Sequence, residues 1–200
     1  MNIYALSSGP GVSGIAIIRI SGPNTKEIIE LLTQKTIPAP RMANLRKIHN
    51  INTSELIDEG IILWFPGPGS YTGEDMAEIH IHGSKAVILA VQNEISKIKN
   101  CRLAGPGEFT KLAFQNGKIN LLKAESIGDL ISAETEIQRL QAVKIMEGTS
   151  SHKFNELREK LIKILSFVEA KIDFPDEDLP DENLHKIKKD SLDVKNEIDK

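Results

Sequence analysis

Met76-Ala77-Glu78-Ile79-His80-Ile81-His82 alternates its side chains with a period of two, the period of a strand and not of a helix. Alternation sends Ala77, Ile79 and Ile81 to one face and Glu78, His80 and His82 to the other, with neighbours on a face roughly 7 Å apart. One face suits a core, the other water or a ligand. Upstream, Leu56 to Phe65 is also β-rich and stops at Pro66-Gly67-Pro68-Gly69, a loop on composition alone. Ile15 to Ile20 is a further compact apolar run of strand length. Downstream, Ser84 is placed to cap a helix carrying Val87, Ile88, Val91, Ile95 and Ile98. Asn24 or Thr25 can cap a shorter helix through Gln34, with Ile28, Ile29, Leu31 and Leu32 on its apolar side. A second turn, Gly105-Pro106-Gly107, precedes a short helix from Glu108 to Asn116 that Gly117 closes.

Beyond Lys118 the period becomes helical throughout. One helix is expected from about Asn120 to Glu147, stopping at Gly148. A second carries the stripe Phe154, Leu157, Leu161, Leu165, Val168 and Ile172. The acidic, proline-containing stretch from Asp173 to Glu182 breaks it. A third helix, with Ile187, Val194 and Ile198, is still running at Lys200, which suggests a truncated chain. The expected fold class is α+β: a mixed β-sheet with helices over residues 1–118, then a partial all-α domain over 119–200.

With 40% apolar and 26% charged residues, the 200-residue chain is neither disordered nor in need of a disulfide or metal staple. Cys101 is its one cysteine, so no disulfide framework or Cys-based zinc cluster can be built, and a reducing cytosol fits. No basic segment followed by a long apolar run opens the sequence, and no stretch is apolar for long enough to span a bilayer. The expectation is a soluble, cytoplasmic protein without a membrane partner. The charge balance is +2 over residues 1–118 and −5 over the remainder. Neither half has the basic excess of a dedicated nucleic-acid module, so any RNA substrate must be held largely by something else.

Two phosphate-binding patterns fail. Gly9-Pro10-Gly11-Val12-Ser13-Gly14 matches G-x-G-x-x-G, but that fingerprint needs a helix N-terminus after the glycines, and a strand follows instead. Gly117-Lys118 lacks the earlier glycine, where Leu112 sits, and the following Ser or Thr, where Ile119 sits. Glu78, His80 and His82 form the most suggestive chemical cluster. A zinc site would need a third ligand that cannot be identified; a solvated polar face, or a carboxylate facing a ligand, are the other readings. Arg19 interrupts an apolar strand and must reach water or find a partner, as an edge arginine in an ion pair or as an anion-orienting group. Lys118 is either solvated or a second such cation.

Gly60 to Asp75, with its Phe65-Pro66-Gly67-Pro68-Gly69-Ser70-Tyr71-Thr72-Gly73-Glu74-Asp75 core, resembles the signature loop of the MnmE (TrmE) family of tRNA-modification GTPases. Gly14 to Gly22, Gly105 to Thr110, Phe114 to Lys118, Lys123 to Ile127 and Ile172 to Glu177 resemble the same family, in its order and across essentially the whole chain. The resemblance implies an N-terminal domain similar to the tetrahydrofolate-binding domain of aminomethyltransferases, which also forms a homodimer, and a helical domain interrupted by a GTPase domain. It further implies binding of 5-formyl- or 5,10-methylene-tetrahydrofolate. With a flavin-dependent partner, MnmG (GidA), the family installs an aminomethyl or carboxymethylaminomethyl group on C5 of the tRNA wobble uridine, driven by potassium-dependent GTP hydrolysis with magnesium.

Carried over by resemblance, the folate contacts are Arg19, Glu78 and Lys118, with no catalytic and no metal residue in these 200. Glu78 can accept hydrogen bonds from a pterin's amino-pyrimidinone edge, and the two cations can meet carboxylates or carbonyl oxygens. The family's GTPase domain and its C-terminal Cys-containing motif have no counterpart in the sequence, and Cys101 lies in a different context. Two other readings stay open: a freestanding folate-dependent one-carbon transferase, and a non-catalytic dimerisation module in which Arg19 and Glu78 are structural.

Overall fold

A computed structural model describes residues 1–173 and 182–199. Contacts divide the chain into residues 1–120 and 121–200. The first unit holds β1 (Asn2–Leu6), β2 (Ser13–Ser21), α1 (Thr25–Thr33), β3 (Asn44–His49), β4 (Leu56–Phe65), β5 (Met76–Gly83), α2 (Lys85–Ser96), β6 (Cys101–Leu103) and α3 (Glu108–Gln115). The strands form one sheet in the order β3-β4-β5-β2-β1-β6, antiparallel except where β6 joins β1. The fold is α+β with a mixed sheet, followed by helices, as the period change at Lys118 predicts.

The core lies on one face of the sheet. Ile18 and Ile20 of β2, Ala77, Ile79 and Ile81 of β5, and Ile62 and Trp64 of β4 meet Ile28, Ile29 and Leu32 of α1 and Val91 and Ile95 of α2. Ser84 caps α2 as expected, its hydroxyl accepting from the Val87 N–H at 3.2 Å. Asn24 precedes α1 but makes no capping bond; its side chain donates to Glu27 instead, at 3.0 Å. Leu31, expected on the apolar side of α1, is exposed: only Ile28, Ile29 and Leu32 of the four reach the core.

The sequence reading misses β1, β3 and β6, none of which alternates cleanly. Asn2, Ile3 and Tyr4 are all buried, so β1 carries no period-two signal.

In the second unit the expected single helix over 120–147 is two, α4 (Leu121–Ser132) and α5 (Glu136–Met146). A capping box causes the break. The Thr135 hydroxyl accepts the Gln138 N–H, and the Gln138 side chain accepts the Thr135 N–H at 3.0 Å. Local side-chain bonds thus outcompete helix continuation at Ala133–Thr135. α6 (Thr149–Asp173) and α7 (Glu182–Ile198) follow, and the Lys160 ammonium of α6 meets Glu197 of α7 at 2.6 Å. Of the α6 stripe only Leu157 is buried; Phe154, Leu161, Leu165 and Ile172 are exposed. Most of the expected break between these helices, and Phe174 to Glu177 of the family-like block, lie outside the described residues. Among the described residues no helix is long and apolar enough to cross a membrane.

Candidate functional site

The face of the sheet opposite the core carries the polar residues, and strand register decides which of them meet. Arg19 on β2 is the direct cross-strand partner of Glu78 on β5. The row continues to Leu63 on β4 and Ala5 on β1. Arg19 is therefore central in the sheet, between β5 and β1, and the edge-strand reading of it is wrong. The other part of that reading, an ion pair, describes it well. Arg19 Nε and a terminal guanidinium nitrogen both donate to Glu78 Oε1, at 3.1 and 2.8 Å. The side chains are 28% and 15% exposed, so the pair is shielded but reachable from solvent.

Glu78 Oε2 faces His80 Nε2 at 3.3 Å, two residues along the same strand face. His82, next on that face, turns to Asp58 of β4. The Asp58 carboxylate accepts both the His82 backbone N–H and its ring Nδ1, each at 2.8 Å. Burial alone would raise the Asp58 carboxyl, but the His82 backbone N–H, the His82 ring and the Glu59 N–H together hold it below the usual range. The two histidines thus diverge, and among the described residues no three His, Cys, Asp or Glu side chains converge as a metal site.

Two aromatic rings close over the guanidinium. Arg19 Cζ lies 5.8 Å from the Tyr71 ring centre and 5.6 Å from that of Phe109, within cation–π range of both. Tyr71 comes from the 66–75 loop and Phe109 from the first turn of α3, and the Tyr71 hydroxyl is hydrogen-bonded to Thr110 at 2.9 Å. Sequence reasoning does not single out these rings. Both rings nevertheless lie inside stretches that carry the family resemblance, Gly60 to Asp75 and Gly105 to Thr110.

Lys118 forms no ion pair with Glu78. Its ammonium donates to the Pro68 carbonyl at 2.8 Å, so it holds the same loop that delivers Tyr71. The loop is fixed elsewhere by Arg41 to the Gly69 carbonyl at 2.7 Å, Asn116 to the Thr72 carbonyl at 2.7 Å, and Ser21 to the Thr72 hydroxyl at 2.7 Å. Gly73 has φ +83° in this loop, and a Cβ there would stand 3.3 Å from the Lys118 stem. At the base of α3, Arg102 forks onto Glu108, which also accepts the Gly105 N–H at 2.8 Å. Those bonds hold the Glu108 carboxyl down to about 2. The arrangement offers a half-shielded carboxylate, a guanidinium between two rings and a lysine on the covering loop. Such a set suits a planar ligand with both donors and anionic groups.

Two family models match the chain: "GTP-binding protein TrmE N-terminus" over residues 2–118 and "MnmE helical domain" over residues 121–200. Among curated relatives, the tRNA modification GTPase MnmE of Pelagibacter ubique is 76% identical over 194 residues, 97% of this chain and 44% of that protein. Those of Parvibaculum lavamentivorans and Rickettsia canadensis are 43% and 45% identical over 196 residues, 98% of this chain. The chain spans less than half the length of these relatives, 45% and 44% for the latter two. The sheet, its covering loop and the helices after residue 120 all fall within matched segments, and the chain belongs to the TrmE/MnmE family.

Proposed function

We propose that this chain provides tetrahydrofolate binding and dimerisation within a tRNA-modifying GTPase. The observation that carries the proposal is the Arg19–Glu78 cross-strand pair on the open sheet face, covered by a loop that Lys118 fastens. Glu78 has the acceptor chemistry for a pterin's amino-pyrimidinone edge, and Tyr71 and Phe109 give the site aromatic walls. Arg19 and Lys118 have the charge to meet the folate's carboxylates or carbonyl oxygens. When bound, 5-formyl- or 5,10-methylene-tetrahydrofolate supplies a one-carbon unit. The chain's own residues bind and orient that ligand and restrict water around it.

In this reading the one-carbon unit goes to C5 of the tRNA wobble uridine, with MnmG (GidA) as the flavin-dependent partner. GTP, potassium and magnesium act in a domain outside these 200 residues. The mild charge of the first unit accords with a tRNA held mainly by other parts of the assembly. Dimerisation is supported by an apolar row beside the charged one. Leu45 and Ile61, cross-strand partners on β3 and β4, are 67% and 39% exposed.

Calorimetric titration of the purified chain with 5-formyl-tetrahydrofolate, with molar mass followed by light scattering, tests both parts. A dimer that binds saturably, and more weakly as Arg19→Ala, is the expected result. A dimer indifferent to folate sinks the binding site; a monomer sinks the dimerisation. Glu78→Ala and Glu78→Gln with wild-type affinity would remove Glu78 from the site. Potassium-stimulated GTP turnover by this chain alone would contradict the assignment of that chemistry elsewhere.

A further inference from the structure

Of the eight residues of α3 only Ala113 is buried, and its N-cap, Gly107, has no side chain with which to bond the first turn. What fixes the start of this helix is polar. Glu108 Oε2 accepts one Arg102 guanidinium nitrogen at 2.9 Å, Oε1 accepts the other, and Oε2 also accepts the Gly105 N–H at 2.8 Å. The Glu108 N–H donates in turn to the Gly105 carbonyl at 3.1 Å. Arg102 stands on β6, which pairs with β1 from Asn2 to Tyr4 and continues through the Ala104 N–H on the Tyr4 carbonyl at 2.9 Å. Strand β1 pairs with β2, which carries Arg19. The Tyr71–Thr110 bond holds the same helical turn only to a loop. Next after Glu108 comes Phe109, whose ring centre lies 5.6 Å from Arg19 Cζ.

We infer that Arg102 and Glu108 are positioning residues of the ligand site: their fork fastens the first turn of α3 to the sheet and so holds the Phe109 ring over the Arg19 guanidinium. The ring's part as a wall for the ligand rests on the folate reading; its place over Arg19 does not. A two-pronged guanidinium–carboxylate contact fixes direction as well as distance, which a single ammonium does not. The side chains are 47% and 21% exposed, and a surface pair of this kind contributes modestly to overall stability. Its loss should therefore be felt in the site more than in unfolding.

Affinity for 5-formyl-tetrahydrofolate tests the inference as a double-mutant cycle. An aromatic contact is worth about two- to twelvefold, so Phe109→Ala should lose about fivefold, and Arg102→Ala, which leaves the ring present but unheld, about threefold. Added to Phe109→Ala, Arg102→Ala should cost nothing more, because no ring is left to position. Glu108→Ala removes the fork from its other end and should repeat the pattern, so either variant suffices if the other fails to fold. Wild-type affinity in a folded variant, or a loss that persists in the Phe109→Ala background, overturns the inference.

A second readout needs no ligand. The Arg19 Nε–H, held by Glu78 Oε1 at 3.1 Å, gives a side-chain NMR resonance that the Phe109 ring current displaces. Arg102→Ala should move that resonance in the same direction as Phe109→Ala does, and by less. No movement, or movement the opposite way, overturns the inference. Absence of folate binding by the wild type would sink the proposed function instead, with the Arg19 resonance still deciding whether the fork holds the ring.

Discussion

The two faces of the central sheet are one residue apart in sequence and opposite in purpose. Ile18 and Ile79 are fully buried under α1 and α2, while their chain neighbours Arg19 and Glu78 form an ion pair on the far side. Period-two geometry lets the same two strands supply both a core and a charged site, without either intruding on the other. The contrast predicts that stability and ligand binding separate cleanly between adjacent positions. Ile18→Ala should cost about 3 to 4 kcal/mol in urea unfolding, because it empties a fully packed site. Folate affinity measured below the transition should then change little. A comparable loss of affinity would mean that the faces are mechanically coupled.

The reverse experiment is Arg19→Ala. Folate affinity should fall at least tenfold, about 1.4 kcal/mol, with a smaller loss of stability of about 1 kcal/mol from the half-buried Glu78 left with only His80. If Arg19→Ala instead unfolds the protein, the pair is structural and the open face is not primarily a binding face.

At one end of the open face Asp58 does structural work with polar chemistry. The β4–β5 ladder pairs through Ile61 and His80, and beyond it the Asp58 carboxylate accepts the His82 N–H. Because its folded carboxyl lies below the usual range, the unfolded chain takes up that proton first as acid is added. Its stabilisation is therefore complete above the unfolded value, about 3.9, and disappears as pH falls through the lower folded value. Glu108 follows the same sign, with Arg102 as the main cause, over a window from the ordinary glutamate range down to about 2. Asp58→Asn should be less stable than the wild type by about 1 kcal/mol at pH 7, and the gap should narrow as the pH falls below about 4. Urea midpoints at pH 7 and pH 2.5 measure it; a constant gap would show that the charge is irrelevant.

Much of this contrast is legible in the sequence. Ala77-Glu78-Ile79-His80-Ile81 states its own two faces, and a lone arginine in Ile15 to Ile20 asks for a partner. What single-strand periodicity does not contain is register. That Arg19 stands opposite Glu78, and not opposite His80 or Ala77, depends on how β2 and β5 align, a long-range choice made by the packing of both strands on α1 and α2. The break between α4 and α5 escaped for another reason. Thr135 and Gln138 act only as a reciprocal pair, and neither residue alone opposes a helix strongly. The strand β1 was hidden because it buries consecutive side chains, Asn2 to Tyr4, rather than alternate ones.

Tyr71 offers the finest test of how far the open face is organised. Its ring contributes to the aromatic cover of Arg19, and its hydroxyl joins the 66–75 loop to Thr110 on α3. Tyr71→Phe keeps the ring and removes one partly buried hydrogen bond, so it should weaken folate binding by only about two- to threefold, near the low end of what such a bond contributes. Thr110→Val, which removes the other partner, should give a similar loss. The double variant should be little worse than either, since both delete the same bond. Additive losses would mean that each group contacts the ligand separately. In that case the two segments meet the ligand independently, and the covering loop owes its position to Lys118, Arg41 and Asn116 rather than to the Tyr71–Thr110 link.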